Sequence, residues 1–499
     1  MAQKNSRQKR KTFLGKYTMP DGQILVGELR LKGPDTRLKV HSENFLHFPR
    51  ETSSITGVSY AGDHISLIDC ISQAEGHTSF GNGRATLHYA EVFPHFVAIG
   101  ERHLDPGNAC IAGIHFTATD LTSLFYDFDA FGTVIDSKAV IDAVLEERRA
   151  LRPVQTGERP QVAYFTGKLE LAAVATAIGK VTVSHQPYGD LGGPRGVRLL
   201  NRIVVSIEPD TPVSFHTAIG RMYEMGFFLS MAAGRKQRVS RIHIVCVDDG
   251  KPPGHIQRVH TSFGWRKRPD SERDKAHPGD VPLDPIHEPA EFDAVLSHWI
   301  ARHDAWRIAR SRYLDCLAKG NRYDPERLVA AANMFDVLPS DAVPGPVSLS
   351  ASMAATRDEC RRLLRMQADG IDRDSALSAL GRLGKPSLPK KVAHRASIVE
   401  AQLGERFKEL QLVVSIAVKC RNHFVHGSSG DFDFPKFEPL VPFLTNGLEF
   451  VFAASDFIQA GWNATRWNTQ HMGWGHNFAR FRDEYDNGLM ELKKALAGN

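Results

Sequence analysis

The sequence predicts an α+β protein in which a β-rich, sandwich-like N-terminal half is followed by an all-α helical bundle. Two observations predict this order. Short apolar runs with alternating faces, broken by turn residues, fill the first half of the chain, whereas after about residue 291 the apolar residues recur with a helical period. The length of 499 residues and the apolar content of 42% are typical of several packed domains rather than a single core.

The chain divides by composition into four consecutive regions. They are a basic flexible tail (1–11), a β-rich N-terminal domain (12–155), a second β-rich or mixed domain that ends in a proline-rich excursion (156–290), and a helical domain (291–499). The tail carries five basic and no acidic residues, which is typical of a solvated, mobile terminus. Because the stretch from 248 to 290 is rich in proline and has few periodic apolar positions, we place the main domain boundary there.

In the N-terminal half, short apolar runs alternate with turn signals such as Pro20-Asp21-Gly22. The predicted strands cover 24–31, 38–40, 64–71, 88–99, 110–116, 161–170, 179–184, 197–208 and 242–247, with one apolar helix at about 213–233. Several short strands with alternating faces indicate an antiparallel sandwich or half-barrel.

Helical periodicity dominates the C-terminal part. The predicted helices cover 291–318, 325–337, 350–368, 373–383, 396–426, 440–461 and 475–496. Proline pairs fall between these segments, where a residue that breaks the helical hydrogen-bond ladder is tolerated. We therefore expect a helical bundle.

Composition excludes several classes of protein. The net charge of +5 is too small for this length to indicate nucleic-acid binding by itself. A run long enough to span a bilayer is absent and the N-terminus is polar, so we expect a cytoplasmic protein without membrane contact. The six cysteines are far apart, without a CxxC pair, and no HExxH occurs. We expect reduced cysteines, no metal and no cofactor.

The most informative stretch is Cys420-Arg421-Asn422-His423-Phe424-Val425-His426-Gly427, at the end of a long amphipathic helix. Gly427 is a typical helix stop. Asn422 and His426 are four residues apart and share one helix face, and Arg421 is long enough to reach the same point. An imidazole that moves a proton and a guanidinium that holds a phosphate suit the cleavage of an RNA phosphodiester.

A structural interpretation of these residues stays open. An arginine and a histidine at a helix end can cap the last carbonyls or pair with a carboxylate and do nothing else. The bare spacing Arg-x4-His also occurs at Arg238 and His243, before a predicted strand, and is uninformative by itself. The copy at Arg421 differs because asparagine follows the arginine directly.

The pattern Arg421-Asn422-x3-His426 near the end of a bundle helix resembles the signature of the HEPN superfamily of ribonucleases. Three further features resemble ApeA-type anti-phage proteins. They are the opening Gly15-Lys16-Tyr17…Pro20-Asp21-Gly22…Gly27-Glu28-Leu29, the stretch Arg327-Leu328-Val329…Phe335-Asp336-Val337-Leu338-Pro339, and the order of a β-rich part before a helical part.

This resemblance implies an abortive-infection toxin that cleaves cellular RNA, with transfer RNA as the expected substrate, after a phage-derived trigger. It also implies a homodimer through the helical domain, so that two copies of the motif face one cleft. Arg421 and His426 would be the catalytic pair, and Asn422 would orient them. His423 is an additional histidine that leaves open which imidazole acts.

A basic run just upstream of the motif is a candidate RNA-binding surface. It comprises Arg382, Lys385, Lys390, Lys391 and Arg395, without an acidic residue between Gly381 and Arg395. An ordinary solvated face is the competing interpretation.

Two alternative functions also stay open. One is a non-catalytic protein that senses a ligand through its N-terminal half and dimerises through its helices. The other is a bundle regulated by modification at the motif, as in HEPN toxins paired with nucleotidyltransferase antitoxins.

Overall fold

The computed structural model describes residues 11–79, 86–192, 194, 196–248, 251–263, 276–346, 348–427, 432–470 and 473–498. The predicted basic tail therefore lies outside the described residues except for Lys11. The chain forms two compact units. The first unit contains the chain up to residue 226, then 237–278 and 284–293, and the second contains 227–236, 279–283 and the chain from 294 onward.

The first unit is built around one large antiparallel sheet. The strands of this unit are β1 (Lys11–Thr18), β2 (Ile24–Leu31), β3 (Arg37–Ser42), β4 (Glu51–Ser59), β5 (His64–Ser79), β6 (Thr86–Gly100), β7 (Ile111–Thr117), β8 (Phe131–Val134), β9 (Val162–Phe165), β10 (Glu170–Thr176), β11 (Gly179–His185), β12 (Tyr188–Leu191), β13 (Val197–Leu200), β14 (Ile203–Glu208), β15 (Ser240–Asp248) and β16 (Lys251–Thr261). The sheet has the strand order β10-β11-β14-β7-β15-β16-β6-β3-β2-β1-β4-β5, and two antiparallel strand pairs, β8–β9 and β12–β13, lie outside it.

Six strands of this sheet close into a ring. Strand β6 pairs with β5 along one edge, while its other edge pairs first with β3 and then with β16. Since β3, β2, β1, β4 and β5 also pair in succession, the order returns to β6. Side chains that point into the ring, such as Tyr17, Leu29, Val40 and Leu67, are fully buried and form its apolar core.

Three helices complete the first part of the chain: α1 (Leu121–Leu124), α2 (Lys138–Leu151) and α3 (Phe215–Ala232). The second unit contains most of the helices. They are α4 (Pro289–Ala301), which begins in the first unit, α5 (His303–Ala318), α6 (Pro325–Asp336), α7 (Ala351–Arg365), α8 (Ile371–Gly381), α9 (Leu388–Leu403), α10 (Leu410–His426), α11 (Val441–Ala460), α12 (Ala464–Thr469) and α13 (Asn477–Ala497).

Helices α6, α9, α10 and α11 all pack against one another and form the centre of the bundle. Helix α11 is apolar around most of its circumference, as expected for a helix surrounded by others. Two ion pairs between described residues are buried inside the bundle. Arg327 on α6 donates to both carboxylate oxygens of Glu449 on α11, at 2.7 and 2.8 Å, and Arg310 on α5 donates to Asp456 on α11 at 2.9 and 3.1 Å.

The predicted fold class, a β-rich N-terminal part followed by an all-helical part, is confirmed. Strands from both sides of residue 155 pair within the one sheet. The proline-rich stretch after residue 248 was expected to be an excursion, but its beginning is strand β16, which pairs with β15 and β6. Among the described residues, none of the helices has the length and apolar character needed to cross a membrane.

The predicted helix at 396–426 is two helices, α9 and α10, separated by a turn at 404–409. Glu409 adopts a left-handed conformation with φ of 58°, which an α-helix cannot contain, so α10 starts at Leu410. This break lets α10 pack against α9 as a separate rod.

Candidate functional site

The Arg-Asn-x3-His motif lies where helix α10 leaves the core. The helix is buried along one stripe as far as Cys420, and its last turn, from Arg421 to His426, is half-buried or exposed. Gly427 follows with φ of 76°, a left-handed conformation that favours glycine and ends the helix. The helix is therefore held in the core just before the motif, and the motif itself lies at its solvent-facing end.

The three predicted site residues converge on one guanidinium group. Arg421 Nη1 donates to Asn422 Oδ1 at 3.1 Å and lies 3.5 Å from His426 Nε2. The imidazole is exposed, whereas only 13% of the Arg421 side chain is accessible. A cation held close to an accessible imidazole is an arrangement that can bind a phosphate and transfer a proton beside it.

Helix α6 supplies two further polar groups to the same guanidinium. Asn333 Oδ1 accepts hydrogen bonds from Arg421 Nη2 at 2.7 Å and from Nε at 3.1 Å. The carboxylate of Asp336, one turn further along α6, lies 3.6 Å from Arg421 Nη2. The site is therefore built from two helices rather than from the motif alone.

His423 has different surroundings from His426. Its ring stacks on Phe434, with centroids 4.9 Å apart and planes within 11°, and meets Phe424 edge to face. Its Nδ1 atom is buried and has no hydrogen-bond partner among the described residues. The structure therefore places His423 in an aromatic cluster and His426 beside Arg421.

Cys420, which directly precedes the motif, is fully buried. Burial raises the pKa of its thiol to about 12, so the thiol remains protonated at neutral pH. A protonated thiol is a poor nucleophile. The Cys420 thiol therefore does not compete with His426 for a chemical role.

The predicted basic run falls into three groups. Arg382, Lys385 and Lys390 are exposed at the surface between α8 and the first turn of α9. Lys391 lies next to the motif, because its Nζ donates to the main-chain oxygen of Asp336 at 2.8 Å and lies 3.8 Å from that residue's carboxylate.

Arg395, the fifth residue of the run, is inside the bundle. It is fully buried, donates to Ser455 Oγ at 2.9 Å and to Gln459 Oε1 at 2.5 Å, and lies over the ring of Trp306. Burial lowers the pKa of its guanidinium to about 10. A backbone phosphate cannot reach it there, since it faces the core, so Arg395 is not part of a surface for RNA.

Sequence reasoning missed Asn333. It lies 88 positions before Arg421 and is one of several polar residues within the amphipathic pattern of α6. The only signal in the sequence was the stretch from Arg327 to Pro339 that contains it, which carried part of the resemblance to ApeA-type proteins without pointing to a role for Asn333.

The helical bundle, with an arginine, an asparagine and a histidine at one helix end, defines this part of the protein as a HEPN-type domain. Residues 329–466 match the family model described as Apea-like HEPN, and residues 12–299 match the one described as ApeA N-terminal domain 1. The chain therefore belongs to the ApeA family, as its sequence patterns predicted. Searches of curated proteins and of solved structures found no match.

HEPN domains are typically ribonucleases, so the family match indicates RNA cleavage as the class of activity. The Apea-like HEPN match includes both α6, from Val329 onward, and the motif at the end of α10. Both helices that contribute to the guanidinium site therefore belong to the matched domain.

Proposed function

We propose that this protein is a metal-independent endoribonuclease of an anti-phage abortive-infection system, which cleaves cellular RNA, with transfer RNA as the expected substrate. The observation that carries the proposal is the convergence of Asn422 Oδ1 and His426 Nε2 on Nη1 of Arg421 at an accessible helix end. The family match to a HEPN domain supports the same class of reaction.

The proposed chemistry is a transesterification within RNA. The imidazole of His426 takes the proton of a 2′-hydroxyl, the 2′-oxygen forms a bond to phosphorus, and the bond from phosphorus to the 5′-oxygen breaks. The leaving oxygen takes up a proton, and the products are a 2′,3′-cyclic phosphate and a 5′-hydroxyl end. Arg421 stabilises the charge that develops on the phosphate oxygens.

We propose that a second copy of the chain pairs through the helical domain and brings a second motif to the same cleft. Its His426 would then protonate the leaving oxygen. A phage-derived trigger would start the reaction in infected cells. The exposed residues Arg382, Lys385 and Lys390, together with Lys391 beside the motif, would guide the RNA backbone.

The test compares the wild-type chain with Arg421→Ala and His426→Ala on total RNA, with and without EDTA, followed by analysis of the RNA ends. We expect both variants to fold and to lose cleavage, by about 10²–10³-fold for the arginine and about 10²–10⁴-fold for the histidine. Lys419→Ala is the matched control, since Lys419 is exposed on the same helix just before the motif.

Three outcomes would contradict the proposal. Cleavage retained in both variants would remove the assigned site. A requirement for magnesium would remove the metal-independent chemistry. A wild-type chain that binds a ligand and dimerises but leaves RNA intact in infected cells would favour the non-catalytic alternative.

The choice between the two histidines needs a separate variant. His423→Phe keeps an aromatic ring to stack on Phe434 and removes both ring nitrogens. We expect this variant to retain cleavage, because the nitrogen beside Arg421 belongs to His426. Loss of cleavage in a folded His423→Phe variant would instead assign the proton transfer to His423.

A further inference from the structure

We infer that Asn333 on helix α6 is a positioning residue for the proposed reaction, which fixes the guanidinium of Arg421 while leaving its positive charge available to a phosphodiester. The inference rests on the proposed function and adds to it a residue from outside the motif.

The hydrogen bonds of Arg421 divide into a strong set and a weak set. Asn333 Oδ1 accepts from Nε at 3.1 Å and from Nη2 at 2.7 Å, which occupies one edge of the planar group. Asn422 Oδ1 accepts from Nη1 at 3.1 Å. Because these three bonds join both edges of the plane to two different helices, they fix its orientation.

The two remaining contacts of the guanidinium are long. Nη2 lies 3.6 Å from the carboxylate of Asp336, and Nη1 lies 3.5 Å from His426 Nε2. A guanidinium has five N–H donors, so three are held firmly and two, one on each terminal nitrogen, point to groups that are partly exposed. Two such donors can donate hydrogen bonds to two oxygens of one phosphate, next to the imidazole.

The neutrality of Asn333 is important for this role. A carboxylate at hydrogen-bond distance would fix the same edge but would offset the positive charge that must attract the phosphate. Among the described residues, the anion that pairs with Arg421 is Asp336, which is further away, 39% exposed, and shared with the ammonium group of Lys391 at 3.8 Å. The formal charges of Arg421, Lys391 and Asp336 therefore leave one positive charge at the site.

The position of Asn333 is set by the bundle rather than by the motif. Its neighbours Ala332, Met334 and Phe335 are fully buried, and the buried pair between Arg327 and Glu449 ties α6 to α11. The carbonyl oxygen of Asn333 is thereby presented to α10 from a rigid helix. A rigid support of this kind limits small displacements of a catalytic group, which can lower a rate by about 10²-fold.

The experiment measures kcat and KM for RNA cleavage with the full chain. We expect Asn333→Ala to lower kcat by about 10- to 100-fold with a smaller change in KM, because Arg421 keeps its charge and loses its orientation. Asn333→Asp restores an acceptor, so kcat should recover towards the wild-type value. Its KM should rise and depend less on salt, since the new carboxylate offsets the charge of Arg421. The exposed Asn321→Ala is the matched control and should leave both constants unchanged.

A double-mutant cycle separates positioning from a general structural effect. In an Arg421→Ala background, Asn333→Ala should cause no further loss of kcat, because its effect acts through the missing guanidinium. A further loss of the full size seen in the wild-type background would overturn the inference. A wild-type kcat in Asn333→Ala would also overturn the inference. If the alanine variant does not fold, wild-type values of kcat, KM and salt dependence in Asn333→Asp would overturn it.

The failure of this inference is distinguishable from the failure of the proposed function. If Arg421→Ala and His426→Ala abolish cleavage while the Asn333 variants behave as wild type, the proposed function stands and the positioning role is refuted. If neither motif variant affects cleavage, both proposals fail together.

Discussion

Acidification from pH 7 to pH 5 is expected to destabilise the helical unit through two buried imidazoles. His476 is fully buried and His303 is 4% exposed. Burial lowers the pKa of His476 to about 3 and that of His303 to about 4, the latter with a smaller contribution from the Arg310 guanidinium. In the unfolded chain a histidine has a pKa of about 6.5. Both imidazoles are therefore neutral in the folded protein under conditions where the unfolded chain is protonated.

The sign and size of the effect follow from this difference. The free energy of unfolding that the two neutral imidazoles contribute is fully present above pH 6.5. It is lost as the pH falls below 6.5, because protons then bind the unfolded chain preferentially. The loss stops only near the folded pKa values. Between pH 7 and pH 5 each imidazole contributes a loss of about 2 kcal/mol. Two of them give about 4 kcal/mol, which is a large part of the roughly 5–15 kcal/mol that stabilises a typical domain.

Urea unfolding at pH 7 and pH 5, followed by tryptophan fluorescence, measures this loss. Trp299, Trp306, Trp462 and Trp467 are buried in the helical unit and report its unfolding. His476 caps helix α13, since its Nδ1 accepts from the main-chain nitrogen of Phe478 at 3.1 Å. His476→Asn keeps an acceptor for this cap and removes the titrating ring.

We expect the loss of unfolding free energy between pH 7 and pH 5 to be about 2 kcal/mol smaller in His476→Asn than in the wild type. The carboxylates that also titrate in this range are common to both proteins and cancel in the comparison. An equal loss in the two proteins would refute the reasoning, because it would mean that the folded protein protonates His476 as readily as the unfolded chain does.

Three further substitutions test the packing of the two units by chemical denaturation. Asp456→Asn should destabilise the bundle by about 3–5 kcal/mol, because the Arg310 and Arg302 guanidiniums that it pairs with would lose their buried counter-charge; a loss below about 1 kcal/mol would contradict this. Gly15→Ala should destabilise the sheet by about 1–3 kcal/mol, because the added carbon would meet main-chain atoms of β4. Gly220→Ala, inside α3 with open space around it, should instead stabilise by about 0.5–1 kcal/mol, and equal signs for the two glycines would refute the argument.

Local patterns predicted several regular elements of this fold to within about one residue of their bounds. Strand β2 has the predicted bounds of 24–31, and α6 and α11 differ from their predicted bounds by at most one residue. Several elements were missed, such as β1 and β4, and for two of the missed elements the structure shows a physical reason. Helix α2 lies within the β-rich part of the sequence and has no buried residue, so no contact with a core accounts for its apolar stripe. Strand β16 begins with Lys251-Pro252-Pro253-Gly254, a composition typical of a loop.

The residues of the site also differ in what brings them together: local helix geometry for some, and packing between distant helices for others. Arg421, Asn422 and His426 could be selected from the sequence, because helix geometry alone places residues one, four and five apart near one another. Asn333 could not, since only the packing of α6 against α10 brings it to the guanidinium. The burial of Arg395 was hidden for a related reason. A basic run looks the same whether each side chain faces solvent or the core, and only the bundle shows which.

The orientation of the Arg421 guanidinium depends on helix α6 as well as on the motif. The three motif residues stay close in any helix that contains them, but the orientation of the guanidinium is set by an acceptor that a different helix supplies. If α6 turned about its axis by one residue position, roughly 100°, Asn333 would no longer face α10, although every residue of the motif would be unchanged. The motif alone is then necessary and insufficient for the proposed chemistry. A chain with Arg-Asn-x3-His and no acceptor on the facing helix is expected to bind RNA through its charge and to cleave it slowly.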